Sequence, residues 1–474
     1  MANIASDSVK NSTKDPSKDH AKDPAKGYAK DFVKGHAKDG ATKTVAVIGA
    51  GIVGVCTAIE LQRKGYQVTL IDKGEPAGEA SKGNASFIAV EVFEPQATPS
   101  NILSAIKHSF HQNAAFKITQ DNMLGFIPWG LKFVWQAQKK RREQNKNATI
   151  ALHKHALKAW QDLLQRTGNQ NMMHNCGYLK VWEKESALEA IKQNQIEEQK
   201  HGYDCEILSG EAVFKKEPAL SKKVKHALYF PNSQQLLEPH QTVLKLFKYF
   251  KKEGGVFLKA EVQNIECPQG EVSIETSIDT SNEKQHYQKA VVCSGVWSKK
   301  LCEQLNNESK HKLNIPLTPE RGYHLTFIDS PIKYKHIIMS QDRHIALTPL
   351  STPTGPAMRI TGFGEFSKIN TKTITKRYQT LRVHINALIN GMDTVQQEPE
   401  TWIGMRPTLP DSLPVIDTHP QYPQLGMVFG HQHLGVTQAP ISAKIIVALM
   451  NKEESEQTLA DFEDVIESFA VDRF

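Results

Sequence analysis

The segment that constrains the fold most is KTVAVIGAGIVGVCTAIELQRKGYQVTLIDKG, residues 43–74. The apolar, β-branched run Thr44–Ile48 predicts a buried parallel strand, and apolar positions that continue to Leu61 predict a helix. A second apolar run, residues 67–71, predicts another strand, which ends on Asp72. A strand, a helix and a strand in this order indicate a parallel α/β unit.

The turn between the first strand and the helix has the spacing GxGxxG. Gly49 permits a tight turn, Gly51 allows the backbone to approach a pyrophosphate, and Gly54 allows close packing of helix and strand. The helix N-terminus stabilises an anion, and Asp72 is placed to accept hydrogen bonds from a ribose. The segment therefore predicts a dinucleotide site, without separating NAD from FAD.

Two later segments favour FAD. KAVVCSGVW, residues 289–297, is an apolar run that ends in a turn of small residues. MVFGHQHLGVTQAP, residues 427–440, predicts a strand and a glycine-punctuated turn, followed by a helix over about 441–450. A second helix N-terminus directed at the cofactor suits an extended FAD better than a compact NAD.

These motifs occur in one order between residues 44 and 450, together with EASKGNAS, PLTPERGYHLT and WIGMRPTLPDSLPVI. Together they resemble the FAD-dependent D-amino acid oxidase superfamily, and within it the bacterial D-amino acid dehydrogenases of the small-subunit type. The resemblance implies an α/β (α+β) fold with a Rossmann-like FAD-binding domain of the glutathione-reductase type. An inserted substrate domain is expected to contain a large antiparallel sheet.

The same resemblance implies the domain boundaries and the cofactor contacts. The discontinuous FAD domain is expected to comprise residues 44–100, 215–300 and 396–474, and the substrate domain residues 101–214 and 301–395. The residues expected to bind FAD are Gly49, Ala50, Gly51, Ile52, Val53, Gly54, Asp72, Lys73, Ser81, Asn84, Ala85, Val262, Ser294, Gly295, Trp297, Gly430, His433, Leu434 and Gly435.

Arg406 lies between an apolar run and a proline. A guanidinium keeps its charge, so a partly buried one needs an anionic or multi-acceptor partner. The resemblance implies that this partner is the carboxylate of the substrate, which a planar fork fixes in one orientation. The structural alternative is an ion pair with Asp411 or Asp417.

Tyr323 and His324 complete the candidate catalytic set with Arg406. They lie in RGYHLTF, whose alternation predicts a strand with the two side chains on opposite faces. Tyr323 either lines the substrate pocket or packs in the core, and His324 either takes part in the site or is a structural histidine. The pattern leaves both alternatives open.

The function implied by the resemblance is oxidative deamination of D-amino acids to 2-oxo acids and ammonia. A hydride passes from the substrate Cα to flavin N5, and the electrons go to quinone or another acceptor. Two alternatives remain at this point. Arg406 would equally bind the carboxylate of a secondary or cyclic amine of the sarcosine, glycine or hydroxyproline type, and a non-catalytic FAD-binding subunit would use Arg406 only for structure.

Composition excludes some classes of function. A net charge of +7 over 474 residues is modest, and with no groove-reading or stacking motif we expect no nucleic-acid partner. No two of the six cysteines have CxxC spacing, so neither a metal cage nor a disulfide framework is predicted. We also expect no metal at the HxH of His431 and His433. A reducing, cytoplasmic compartment is expected.

Two segments raise the question of a membrane surface. Residues 1–43 carry lysine at every fourth position from 10 to 38 with little apolar content, which predicts a disordered tail. A weak membrane anchor is the alternative. FIPWGLKFVWQAQKKRR, residues 126–142, has four aromatic residues, Phe126, Trp129, Phe133 and Trp135, followed by a run of four cations, as interfacial helices do. This segment predicts either a peripheral contact on the inner face of the cell membrane or a helix packed in the core.

Overall fold

The computed structural model of the chain describes residues 43–108, 116–278, 284–305, 309–369, 374–451 and 456–474. The predicted disordered tail, residues 1–43, lies outside these ranges except for Lys43.

The strands of the described residues are β1 (Thr44–Ile48), β2 (Gln67–Asp72), β3 (Phe87–Ile88), β4 (Phe116–Ile118), β5 (Met173–Asn175), β6 (Tyr178–Trp182), β7 (Glu206–Ser209), β8 (His226–Phe230), β9 (Gln234–Leu236), β10 (Val256–Lys259), β11 (Val262–Glu266), β12 (Val272–Thr276), β13 (Gln285–Tyr287), β14 (Lys289–Val292), β15 (Thr318–Ile328), β16 (Ile337–Ser340), β17 (Ile345–Thr352), β18 (Gly355–Phe366), β19 (Glu400–Thr408), β20 (Val415–Thr418) and β21 (Leu425–Phe429). The α-helices are α1 (Ile52–Arg63), α2 (Pro99–His108), α3 (Met123–Gln136), α4 (Lys139–Arg166), α5 (Leu188–Lys200), α6 (Glu211–Lys216), α7 (Pro239–Lys252), α8 (Ser298–Leu305), α9 (Thr375–Leu388), α10 (Gly435–Met450) and α11 (Glu456–Ala460).

The first layer is a six-stranded sheet in the order β10-β2-β1-β14-β21-β20. Its first five strands are parallel, and β20 closes the edge antiparallel to β21. The predicted strand–helix–strand unit is β1, α1 and β2, and Gly65 follows α1 with φ +81°. The carboxyl ends of β1, β2, β14 and β21 therefore meet at one edge, where α/β sheets bind ligands.

Both faces of this sheet are covered, because its strands are apolar on both sides. Val47, Leu70 and Val291 pack against α1, α4, α7 and α10 in one core. On the opposite face, Ile48 and Val292 pack with α8 and the three-stranded sheet β11-β12-β13. This layering is the Rossmann-like arrangement predicted for the cofactor domain.

The second layer is a nine-stranded sheet in the order β19-β15-β18-β17-β16-β6-β8-β7, with β4 paired to β18. Most neighbours are antiparallel, and the pairs β16–β6 and β18–β4 are parallel. One face packs on α9 around Leu325, Leu347 and Ile360. The other face lies toward the cavity described below.

The structure confirms the predicted fold class, a Rossmann-like layer combined with a large, mainly antiparallel sheet. Strands β8 and β19, which the predicted boundaries assign to the FAD domain, pair in the large sheet. The residues from Lys43 onward form one compact unit, so the predicted boundaries stay a prediction. None of the helices within the described residues has the length and apolar content needed to cross a bilayer.

Helix α10 begins at Gly435, six residues before the predicted start at 441. The predicted start was wrong, because the helix continues through Pro440. In an α-helix the carbonyl of residue 436 accepts from the N–H of residue 440, which proline lacks. Here Trp160 Nε1 of α4 donates to the Val436 carbonyl oxygen at 2.8 Å. The indole thus replaces the missing hydrogen bond, and the helix continues through the proline.

Candidate active site

A long cavity runs along the carboxyl ends of β1, β2, β14 and β21 and continues over one face of the large sheet. The predicted site residues that line it are Gly49, Gly51, Ile52, Val53, Asp72, Lys73, Ser81, Asn84, Ala85, Val262, Ser294, Gly295, Trp297, Tyr323, Arg406, Gly430, His433 and Gly435. The cavity lining does not include Ala50, Gly54, His324 and Leu434.

The glycine-rich turn has the backbone geometry that its spacing predicts. Gly49 has φ +109°, and a Cβ there would lie 2.5 Å from the carbonyl oxygen of Cys293 on β14. A Cβ on Gly54 would lie 1.8 Å from the Gly49 oxygen, so α1 packs directly against the turn. A Cβ on Gly51 would lie 3.4 Å from Ser81 Oγ, and both residues line the cavity. The turn therefore presents bare backbone to the cavity.

Asp72 braces this turn from the end of β2. Its Oδ2 accepts from the Ala50 backbone N–H at 2.6 Å and its Oδ1 from the Gly74 N–H at 2.8 Å. An ionised carboxylate has about four acceptor positions, so two backbone bonds leave capacity for ribose hydroxyls. Lys73 lies beside it, with Nζ 4.0 Å from the centroid of the Trp297 ring.

The loop of EASKGNAS, residues 79–86, is held from both layers. Ser81 Oγ accepts from the Ile52 N–H at 3.0 Å, which ties the loop to the start of α1. Arg359 of β18 is buried, and its Nη1 donates to the Asn84 carbonyl oxygen at 2.8 Å. The loop that carries Ser81, Asn84 and Ala85 is thus fixed between the two sheets.

The turn after β21 leads into α10 at the far end of the cavity. Gly430 has φ +86°, and a Cβ there would lie 2.4 Å from Leu409 Cδ1. His433 is exposed, and its Nδ1 lies 3.0 Å from Gln96 Nε2. His431 Nε2 lies 3.0 Å from Ser442 Oγ, and burial lowers the pKa of His431 to about 3. His431 is therefore neutral and structural.

Arg406 extends from β19 into the cavity, with a quarter of its side chain exposed. Its Nη1 donates to Glu320 Oε1 and to the Phe363 carbonyl oxygen, both at 2.9 Å. Its Nε and Nη2 make no hydrogen bond to a described residue. One edge of the guanidinium is therefore anchored to the protein, and the three N–H groups on Nε and Nη2 remain for another acceptor.

The carboxylate beside Arg406 is not one of the two that the sequence suggested. Asp411 accepts from Arg473 Nε at 2.7 Å, and Asp417 Oδ2 accepts from the Val471 N–H at 3.0 Å. The partner, Glu320, is buried on the adjacent strand β15, where it stands opposite Arg406 in the register. The alternative that Arg406 pairs with Asp411 or Asp417 was wrong, because both side chains bind the C-terminal segment.

Trp402 forms part of the cavity wall beside Arg406. A Cβ on Gly404 would lie 1.7 Å from its indole, and a Cβ on Gly83 would lie 2.0 Å from it, so only glycine fits at both positions. His324 stacks on the indole with ring centroids 5.1 Å apart and an interplanar angle of 16°. Burial and the charge of Arg359 keep the pKa of His324 well below its usual range.

His324 therefore supports the wall rather than facing the cavity. Its ring is buried behind Trp402, and its Nδ1 lies 3.3 Å from the Gly83 carbonyl oxygen. Of the two interpretations that the sequence left open, this geometry favours the structural one.

Tyr323 borders the cavity, but its side chain points to the other face of β15, away from Arg406. The ring is buried in the core with α9, and the hydroxyl donates to Glu365 Oε2 at 2.8 Å. Burial and this carboxylate raise the pKa of Tyr323. Glu365 also contacts Arg321 Nη2 at 2.7 Å and Arg377 Nη2 at 3.4 Å. These contacts favour the core interpretation of Tyr323.

Several residues of the site were not predicted. Trp402 shares the face of Arg406 by the alternation of β19, so its place was readable from the period of two. Glu320 was not readable, because its contact depends on the pairing of β15 with β19. The sequence also did not predict five wall residues, because segments far apart in the chain bring them to the cavity: Phe87, Val92, Met339, Ala346 and Thr361. Among the described residues, no group of three or more His, Cys, Asp or Glu side chains is placed to hold a metal ion.

The residues present fit an extended dinucleotide. Bare backbone at Gly49 and Gly51 and the carboxylate of Asp72 lie at one end, and the cavity continues without interruption to Arg406. The glycine turn and the start of α1 would hold a pyrophosphate, Asp72 a ribose, and the start of α10 the far ring system.

Comparison with known proteins agrees with this geometry. The model of the family described as FAD dependent oxidoreductase matches residues 44–449. A D-amino-acid oxidase of Bradyrhizobium diazoefficiens is 25% identical over 423 residues, which cover 88% of this chain and 97% of the relative. A D-amino acid dehydrogenase of Chromohalobacter salexigens is 26% identical over 415 residues, which cover 86% and 95%.

Among solved structures, the glycine oxidase of Geobacillus kaustophilus has a TM-score of 0.68 at 17% identity, covering 91% of this chain and all of that one. This likeness shows the fold. The family match spans both the glycine-rich turn and the Arg406 strand, and the cavity joins them. The chain belongs to the FAD dependent oxidoreductase family and is an enzyme that binds FAD.

Proposed function

We propose that this enzyme oxidises D-amino acids to 2-oxo acids and ammonia. The observation that carries the proposal is Arg406, a guanidinium in the cavity with one edge anchored and two nitrogens, Nε and Nη2, free of described partners. A planar pair of donors matches the geometry of a carboxylate. The names of two curated relatives, a D-amino-acid oxidase and a D-amino acid dehydrogenase, support the choice of substrate class.

FAD, when bound, supplies the redox chemistry by accepting a hydride from the substrate Cα at its N5. The chain contributes binding and orientation. Arg406 fixes the carboxylate, and the flat wall of Trp402 and Gly404 limits how the rest of the substrate turns. Holding reactants in one geometry contributes about 7–11 kcal/mol in favourable cases.

Glu320 compensates the positive charge of Arg406 at the substrate end of the cavity. It holds Nη1 of Arg406, and its second oxygen accepts from Thr408 Oγ1 at 2.8 Å. The pair is neutral without substrate, so Arg406 is stable in a partly enclosed site before a carboxylate arrives. An amine that binds uncharged needs no protein base for loss of the Cα hydrogen. Water then hydrolyses the resulting imine to the 2-oxo acid and ammonia.

The test is an anaerobic titration of the FAD-loaded protein with D- and L-alanine, D- and L-phenylalanine, sarcosine and proline. The readout is the loss of oxidised-flavin absorbance. We expect D-amino acids to bleach the flavin and Arg406→Ala to raise the apparent Kd at least about tenfold, since each charge-assisted hydrogen bond contributes about 1.5–3 kcal/mol. Arg343→Ala is the matched control, because Arg343 pairs with Glu183 and does not line the cavity.

Other outcomes would redirect the proposal. Bleaching by sarcosine or proline alone would make the substrate a secondary or cyclic amine. If none of these compounds bleaches the bound flavin, and Arg406→Ala only lowers the melting temperature, Arg406 has a structural role and the proposal fails.

We further propose that the electrons pass to quinone or another acceptor. A peripheral membrane contact through residues 126–142 would bring the enzyme to a quinone pool. The test is to mix substrate-reduced enzyme with air-saturated buffer or with a soluble quinone analogue. Faster reoxidation by the quinone supports the proposal, and faster reoxidation by dioxygen would make the enzyme an oxidase.

A further inference from the structure

Helix α3, Met123–Gln136, is apolar on its inner side, which packs on the large sheet. Phe126 and Trp129 contact Phe366 of β18, with ring centroids 5.0 and 4.9 Å apart. Phe133 stacks on Trp129 at 5.0 Å. Three of the four aromatic residues that suggested an interfacial helix therefore belong to this inner side, and only Trp135 is exposed.

The opposite side of α3 is also apolar, and no described residue covers it. Leu124 is 83% exposed and Leu131 is 68% exposed. Of the eleven large hydrophobic side chains exposed among the described residues, six lie on this one helix. A helix that is apolar all round is ordinarily covered on all sides. We call this surface the outer face of α3; it consists of Met123, Leu124, Ile127, Leu131, Val134 and Trp135.

Four cations follow at the start of α4. Lys139, Lys140, Arg141 and Arg142 form no ion pair with a described residue. Arg141 lies over the exposed Trp135, with Cζ 3.1 Å from the ring centroid. Glu143 is the acidic residue that follows these cations directly in the sequence. Its Oε2 lies 3.1 Å from Lys146 Nζ, so it already forms an ion pair. The outer face of α3 is thus bordered by uncompensated positive charge.

We propose that the outer face of α3 docks on an anionic lipid bilayer as a peripheral anchor, which rests on the membrane contact through residues 126–142 proposed above and names its surface and its lipid. The apolar side chains enter the boundary between headgroups and acyl chains, and the four cations contact lipid phosphates. A helix of 14 residues is about 21 Å long, too short to span a bilayer, so it lies in the plane of the surface.

A second copy of the chain fits this surface less well. A two-fold interface joins the same patch of both copies, so it would bring eight cations together, and the outer face of α3 has no carboxylate to pair with them. Exposed like charges in such an arrangement repel, whereas a layer of lipid phosphates attracts all four. Charge complementarity therefore favours the bilayer.

The experiment is co-sedimentation of the full, FAD-loaded chain with vesicles of phosphatidylcholine, with and without phosphatidylglycerol. We expect binding that increases with phosphatidylglycerol and weakens with salt. Ile127→Gln/Leu131→Gln is expected to lower the partition coefficient at least about tenfold, because two large side chains no longer enter the apolar boundary. Lys139→Gln/Lys140→Gln is expected to lower the dependence on phosphatidylglycerol.

The matched control is Ile196→Gln/Val383→Gln, which changes two equally exposed apolar residues on α5 and α9. It should bind vesicles like the unchanged chain. Equal binding by Ile127→Gln/Leu131→Gln and the unchanged chain would overturn the proposal. So would no binding to either vesicle, or a dimer in light scattering that Ile127→Gln/Leu131→Gln dissociates, which would assign the face to a second copy. None of these readouts depends on catalytic activity.

Discussion

Replacing Gly322 by alanine tests whether the position of Arg406 determines catalysis. Gly322 lies on β15, directly beneath the guanidinium. An added Cβ would stand 2.3 Å from Arg406 Nη2, 2.6 Å from Cζ and 3.1 Å from Nε. The strand itself accepts alanine, because Gly322 has no left-handed φ. The clash is therefore with the end of one flexible side chain.

The expected magnitude follows from this distance. Ordinary contact begins at 3.4 Å, so the guanidinium has to move by about 1 Å, and a misplacement of that size costs about 100-fold in rate. A 100-fold loss in kcat/KM corresponds to about 2.7 kcal/mol. We expect the melting temperature and the retention of FAD to change little, because Gly322→Ala leaves the glycine turn and Asp72 unaltered.

The assay is steady-state kinetics with whichever amine reduces the flavin, run as a double-mutant cycle with Arg406→Ala. Without the guanidinium there is nothing for the new methyl group to displace. Gly322→Ala should then have almost no further effect, so the two losses are strongly non-additive. A second 100-fold loss in the Arg406→Ala background, or an unchanged kcat/KM in the single variant, would refute this reasoning.

Three further predictions concern other parts of the molecule. Asp72→Ala should weaken FAD retention at least about tenfold in dialysis, because the carboxylate holds the glycine turn through the Ala50 N–H and its own loop through the Gly74 N–H. Glu365→Gln should lower the free energy of unfolding in urea by about 3–5 kcal/mol, because this fully buried carboxylate contacts two arginines. Burial raises the pKa of Glu91 to about 7 from an ordinary 4.5. The folded state then keeps a proton that the unfolded state loses, so stability falls as pH rises from about 4.5 to 7, by about 3 kcal/mol in total. The free energy of unfolding of Glu91→Gln, measured in urea between pH 4.5 and 7, should not show this decrease. A decrease equal to that of the unchanged chain would contradict the role given to Glu91.

The cofactor end of the site was predictable because its determinants are local. A turn that needs φ +109° and leaves no room for a Cβ allows only glycine at Gly49, and such restrictions appear directly in the sequence. The acid at the end of the second strand has a fixed distance from this turn along the chain. The same holds for the strand of Arg406, whose alternation places Trp402 and Gly404 on its own face.

The substrate end depends on contacts between distant segments. Glu320 and Arg406 are 86 residues apart, and only the register of β15 with β19 brings them together. A strand has two faces, and the elements packed against the sheet likewise determine which face lines the cavity. By sequence, both Tyr323 and His324 were candidates for the substrate pocket. In the structure Tyr323 packs with α9 and bonds Glu365, and His324 stacks on Trp402, so both make structural contacts.

The sequence by itself determined that this chain builds a dinucleotide turn, an acid to brace it and an arginine on a strand, because short-range sterics and periodicity encode them. The tertiary structure decided which carboxylate balances that arginine. It also decided that α10 continues through Pro440 and that the aromatic side of α3 turns inward while the aliphatic side stays exposed. Each of these depends on a partner far away in the chain, such as Trp160 or Phe366, and a pattern of spacing carries no information about a partner that only folding brings near.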